Sequence, residues 1–198
     1  MGTTNKRFKT LLIDFPWDLQ QKGKLGSKGR GAGCKYPLMS LDEIRAMPIV
    51  DLLEDDGHVW CWVTQASLEH GFKLLRDYGL EPRSVFTWIK PRMGLGVYLR
   101  GACEYVILST KGKCPIKFNA QINWGIFPVQ DHSHKPEEIH KIIERCSPGP
   151  YLELFARRKF PGWSVWGNEV ESDIDIPGYP VPDSPATRNL KSIKKGDV

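Results

Sequence analysis

The sequence predicts an α/β fold in one domain, a mostly parallel sheet with helices on both faces. Short apolar runs that stop at turn residues alternate with stretches of helical periodicity, the order expected of a layered α/β domain. The first run, Leu11-Leu12-Ile13, ends abruptly in Asp14-Phe15-Pro16-Trp17. A buried parallel strand reads this way when its carboxyl end opens into a site. The chain has 198 residues, 40% hydrophobic and 26% charged, which gives material for one sizeable core and hardly two.

Each element has its own signal. Pro16 lacks a donor and has a fixed φ, so it ends the first strand in a stiff turn. Ser40-Leu41-Asp42-Glu43 is a capping box that starts a short helix, ending near Met47-Pro48. His58 to Val63 reads as the second strand. From about Gln65 to Tyr78, Leu68, Phe72 and Leu75 recur on one helical face, and Gly79 is a natural cap. Ser84 to Ile89 is the third strand, stopped by Lys90-Pro91, and Glu104 to Ser109 is the fourth. Between them Gly94 to Gly101 is a glycine-rich loop, and Gly94-x-Gly96 opens no helix. Residues 112–133 show little periodicity and read as one long loop.

A third helix begins at Pro136-Glu137-Glu138, with proline and acids in its first turn, and carries Ile139, Ile142, Ile143 and Cys146 along one face. Ser147-Pro148-Gly149 ends it. Tyr151 to Phe155 and Ser164 to Trp166 are the fifth and sixth strands. Beyond Val170 proline and charge dominate, which divides the chain into a domain at 1–170 and a tail or arm at 171–198.

Composition narrows the function. No apolar run approaches the roughly 18 residues of a membrane span. The polar, basic start resembles no secretory signal, so a cytoplasmic location is expected. Five cysteines without a C-x-x-C pair fit reduced thiols better than structural zinc. His132-x-His134 has no evident third ligand, so no metal is expected. The net charge is +5, and Leu19 to Lys35 holds Lys22, Lys24, Lys28, Arg30 and Lys35, five glycines and no acid. Such a basic loop suits a phosphate backbone, or is simply solvated.

The turn after the first strand offers a carboxylate, a carbonyl and an aromatic face within four residues. Asp14 and the Phe15 carbonyl are two acceptors that match the two hydrogens of an exocyclic base amine, and Trp17 supplies a stacking face. A strand end with Trp17 in the core accounts for the same four residues.

Taken in order, the motifs resemble the N6-adenine methyltransferase family typified by the catalytic subunit of the mRNA adenosine methyltransferase. That family's Asp-Pro-Pro-Trp turn is matched by Asp14-Phe15-Pro16-Trp17, with Phe15 in place of the first proline. Tyr36-Pro37-Leu38-Met39-Ser40, Trp62-Val63-Thr64, Trp88-Ile89-Lys90 and Arg100 to Glu104 match in sequence. The closing set is the most specific: Ser133-His134-Lys135-Pro136-Glu137-Glu138, Ile143 to Gly149, Glu153-Leu154-Phe155-Ala156-Arg157, and Gly162-Trp163 through Trp166-Gly167-Asn168-Glu169. The resemblance covers residues 10–170.

The resemblance implies a Rossmann-like domain in permuted order, the catalytic turn preceding the cofactor segment, and S-adenosylmethionine as cofactor. It implies catalytic roles for Asp14, Phe15, Pro16 and Trp17. Cofactor contacts fall on Asp14, Pro16, Lys135, Arg157, Lys159, Asn168 and Glu169, although Lys159 and Glu169 replace residues common in the eukaryotic branch. Substrate contacts fall on Tyr36, Lys90, Arg100 and Glu104, beside the basic loop of Lys22, Lys24, Lys28 and Arg30. The implied partner is nucleic acid, DNA before RNA, with the adenine flipped out or single-stranded. A homo-oligomer or a partner subunit is compatible with this. RNA adenosine methylation is the alternative substrate reading, and a catalytically silent nucleic-acid-binding or scaffold member is the alternative of another class.

Overall fold

A computed structural model describes residues 6–19, 38–94, 98–130 and 134–179. Seven strands form one sheet: β1 (Phe8–Ile13), β2 (Leu53–Val63), β3 (Glu81–Ile89), β4 (Cys103–Lys111), β5 (Trp124–Ile126), β6 (Tyr151–Leu154) and β7 (Trp163–Trp166). The spatial order is β5-β3-β4-β2-β1-β6-β7. β1 runs parallel to β2 and β6, β6 to β7, and β3 to β5, so β4 alone is reversed. The expected α/β fold with a mostly parallel sheet is what forms.

Alternation along the strands builds two cores. Leu11 and Ile13 share one face with Val59, Cys61, Val63, Leu152 and Leu154. Helix α1 (Leu41–Arg45) and helix α2 (Leu68–Asp77) cover that face with Ile44, Leu74 and Leu75. Leu12 points the other way, with Trp60, Trp62, Phe86, Trp88 and Val106, under Ile139, Ile142 and Ile143 of helix α3 (Glu138–Cys146). Each of those isoleucines contributes on the order of 2 kcal/mol of burial before its entropy cost. The predicted capping box is present, with Ser40 N–H donating to Glu43 and Glu43 N–H donating back to Ser40 Oγ.

Two sequence expectations are corrected. The stretch 112–133 is not one loop, because β5 lies inside it and pairs with Thr87 to Ile89. β2 begins at Leu53 instead of His58, its charged Glu54-Asp55-Asp56 start being half-buried or exposed. Residues 171–179, the start of the expected tail or arm, pack on the domain. Ile174 and Ile176 are buried in the α1/α2-side core; Asp173 N–H donates to the Val165 carbonyl, and its carboxylate accepts from Val165 N–H. Few apolar residues suffice for this anchoring, so composition does not reveal it. The packed chain continues through Tyr179, and the rest of the proposed arm lies outside the described residues.

No helix among the described residues is long and apolar enough to cross a membrane.

Candidate active site

The registers align the strand ends on one edge of the sheet. Ile13 is level with Cys61 and Leu154, Leu154 with Trp166, and Ile89 with Cys103. Asp14, Lys90, Phe155 and Gly167 therefore follow their strands at the same rim, and reversed β4 brings Glu104 there from its start. Ligands of open α/β sheets bind at this edge.

The turn after β1 is tightly held. Trp17 N–H donates to the Phe15 carbonyl at 3.0 Å, closing a turn around Pro16. The Pro16 carbonyl accepts from Met39 N–H at 2.8 Å, and Asp18 N–H donates to the Met39 carbonyl at 2.9 Å. Phe15 is buried against Trp17 and Phe155, with ring centroids 5.3 and 5.5 Å away. Its carbonyl keeps one lone pair beyond the bond to Trp17. Trp17 Nε1 is buried and finds no acceptor among the described residues.

Asp14 opens a chain of alternating charges. Lys135 Nζ lies 2.8 Å from Asp14 and 3.3 Å from Glu104, and Glu104 also pairs with Lys90. Lys135 sits over the Trp62 ring at 5.3 Å and Lys90 over the Trp88 ring at 4.7 Å, so the two cations rest on neighbouring indoles. Burial pushes the Glu104 carboxyl up, but the ammonium groups of Lys135 and Lys90 outweigh it and hold the carboxyl below its ordinary value. Burial pulls Lys135 down, and Asp14 and Glu104 more than reverse this, keeping it charged.

β6 ends in a strained residue: Phe155 has a φ of 62°, a left-handed conformation that a bulky aromatic adopts only when its surroundings impose it. Phe15 and Trp166 impose it, with centroids 5.5 and 5.2 Å away. Ala156 N–H then donates to the Trp166 carbonyl at 3.0 Å, and Gly167 lies against the Ala156 backbone. A Cβ on Gly167 would stand 2.1 Å from the Ala156 oxygen and 2.7 Å from its nitrogen. Neither atom can yield without parting the two strand ends. Gly167→Ala is therefore expected to destabilise the fold by about 2 kcal/mol or more, measured by urea unfolding. Beside this contact Arg157 reaches Glu169 at 3.4 Å, bridging the segments after β6 and β7.

An acid, a cation beside it, a carbonyl held by a proline turn and a second charged pair at the ends of β3 and β4 thus share one rim of the sheet. The MT-A70 family model matches residues 8–169, the span that builds this rim. The chain belongs to the MT-A70 family.

Similar proteins agree with it. The chain is 28% identical over 191 residues to the type II methyltransferase M.MunI of a Mycoplasma species, covering 87% of this chain and 82% of that protein. It is 33% identical to the N(6)-adenosine-methyltransferase MT-A70-like protein of Drosophila melanogaster and 31% identical to the human N(6)-adenosine-methyltransferase catalytic subunit METTL3. Those two matches cover 83% of this chain but only 27% and 28% of the relatives' own length.

Several residues that the sequence singles out in this MT-A70 chain lie together on the rim. Asp14, Lys135, Glu104 and Lys90 come together, as do Arg157 and Glu169, and Phe15, Pro16 and Trp17 form the turn beside them. Asn168 lies next to Glu169, and Arg100 stands on the connection leading into β4. Lys159 is turned to Asp173 at 2.8 Å, a contact that ties the 171–179 segment to the domain. His134 faces Glu137 of its own turn at 4.0 Å. Tyr36, Lys22, Lys24, Lys28, Arg30 and His132 lie outside the described residues. Sequence reasoning gave no role to Trp62 and Trp88, although both stand in MT-A70 motifs next to strand ends; the basic residue in Trp88-Ile89-Lys90 was the available signal.

Proposed function

We propose that this chain is an S-adenosylmethionine-dependent methyltransferase acting on the exocyclic N6 of adenine in DNA. The observation that carries the reading is the 2.8 Å pair of Asp14 and Lys135 at the carboxyl end of the central strands, beside a carbonyl fixed by Pro16. The donor set fits the cofactor. Lys135 has three N–H donors, of which Asp14 and Glu104 take two, leaving one for the methionine carboxylate. Asp14 and Pro16 line the same end. Arg157, Asn168 and Glu169 offer donors and acceptors to the ribose and adenine, and Lys159 supports them through Asp173. When bound, the cofactor supplies an electrophilic methyl group.

The protein's part is orientation and charge. An exocyclic amine is a weak nucleophile because its lone pair is shared with the ring. Asp14 and the Phe15 carbonyl accept its two hydrogens and fix its lone pair in one direction, the alignment on which transfer depends. Trp17 walls or stacks on the base. Phe15 stands in place of a proline: its ring is buried in the core, and its backbone oxygen accepts from Trp17 N–H. Lys90, Glu104 and Arg100 border the base and its phosphates.

DNA is favoured by coverage, since the match to the type II methyltransferase spans most of both chains. Identity favours the adenosine methyltransferases, at 33% and 31%, so ribonucleic substrates are the second reading. Rates on matched deoxy and ribo oligonucleotides separate the two. Calorimetric titration with the cofactor separates both from a silent scaffold, which would bind none.

A further inference from the structure

Met93, Tyr98 and Leu99 are 74%, 99% and 81% exposed, more than any other large hydrophobic among the described residues. Single exposed apolar side chains are ordinary, but here three share one short connection, between β3 and β4. The connection leaves the sheet through a narrow neck. Lys90 N–H donates to the Ala102 carbonyl at 2.7 Å, and Gly94 N–H to the Gly101 carbonyl at 2.9 Å. A Cβ on Gly94 would lie 2.3 Å from the Gly101 oxygen, so the pinch requires glycine. The neck rises from Lys90 and from the start of β4, where Glu104 joins Lys90 to Lys135 and thence to Asp14. Exposed Arg92 and Arg100 flank the apolar residues.

We propose that Tyr98 and Leu99, with Met93 on the same connection, form a wedge that enters duplex DNA beside the target adenine and fills the space the base vacates. The proposal rests on the reading of the rim around Asp14 as a DNA adenine-N6 site. In a duplex that nitrogen lies inside the stack, out of reach of Asp14, and extrusion of the base needs something to hold the gap open. Apolar side chains inserted at a base step do this in other DNA-binding proteins, and flanking arginines engage the phosphates on either side. A protein partner fits less well. Three side chains on a pinched loop present far less than the roughly 800 Å² per partner of a stable interface, whereas one base step is a gap of their size.

The test compares the full chain with Tyr98→Ala, Leu99→Ala, the double variant and Tyr98→Phe. Methyl transfer is measured on a duplex and on its target strand alone, with 2-aminopurine fluorescence at the target site reporting extrusion. The double variant is expected to lose roughly tenfold or more on the duplex, the scale of one lost base-stacking contact, with single-strand rates unchanged. Tyr98→Phe keeps the ring and retains the duplex rate, and placing the target opposite an abasic site restores the double variant. Equal losses on both substrates, or no loss on the duplex, overturn the wedge while leaving the site reading intact. A drop in sedimenting mass of the variants also overturns it and assigns the loop to a protein contact. A wild type inactive on every DNA defeats the site reading, and the wedge with it.

Discussion

Asp14→Ala is expected to lower methyl transfer by roughly 10³-fold, the scale of losing a preorganised polar contact to the reacting group, while the protein stays folded. Both halves follow from the charge chain. Asp14 directly precedes Phe15, whose carbonyl the turn fixes, so its removal leaves the amine with one acceptor and no defined lone-pair direction. Lys135 would not be stranded, because Glu104 remains 3.3 Å from its ammonium. Asp14→Asn is the sharper variant. It keeps the shape and one acceptor oxygen, so an equally deep loss would assign the effect to charge. Rates from labelled cofactor and unfolding curves in urea check the two halves together.

Lys135→Met has the larger structural consequence. It leaves Asp14 and Glu104 facing each other without the cation that joins them, and among the described residues Glu104 retains a second partner in Lys90. Breaking a buried pair costs about 3–5 kcal/mol, and the partial exposure here lowers that to about 2–3 kcal/mol. Cofactor affinity, read by calorimetry, should fall as well. The pH dependence follows with definite sign. Glu104 is held below its ordinary 4.5, so its contribution is complete above that value and is lost as pH falls through the lowered one. Lys135 is held above its ordinary 10.5, so its contribution is complete below that value and is lost as pH rises through the higher one. Urea unfolding should show the widest gap between wild type and variant from about pH 5 to pH 10, closing at the acid end.

The strands nearest the site were the most legible. Leu11-Leu12-Ile13 and Trp60-Cys61-Trp62 are apolar on both faces because both faces are covered, by α1 and α2 on one side and α3 on the other. β5 was hidden for the opposite reason: three residues with a central glycine carry no period, and pairing with β3 alone makes them a strand. The Ile174 and Ile176 anchor was hidden by the charge and proline around it. Residue types at the site could be read from the motifs, but the partner of each could not. Nothing local to Lys135 says that it meets Asp14 and Glu104 at once, since Glu104 reaches this end only because β4 runs backwards. Likewise Lys159 looks like a rim cation until Asp173 is seen to hold it. The left-handed φ of Phe155 also has no sequence signal, because aromatic packing imposes it on a residue that avoids it.

The most direct measurement is transfer of labelled methyl from S-adenosylmethionine to a panel of adenine-containing oligonucleotides, followed by nucleoside mass spectrometry, with wild type and Asp14→Asn side by side. N6-methyladenine formed by the wild type and lost in the variant is the expected result. Label on any other atom, or undiminished N6-methyladenine from Asp14→Asn, would contradict the assignment of Asp14 as the group that grips the amine.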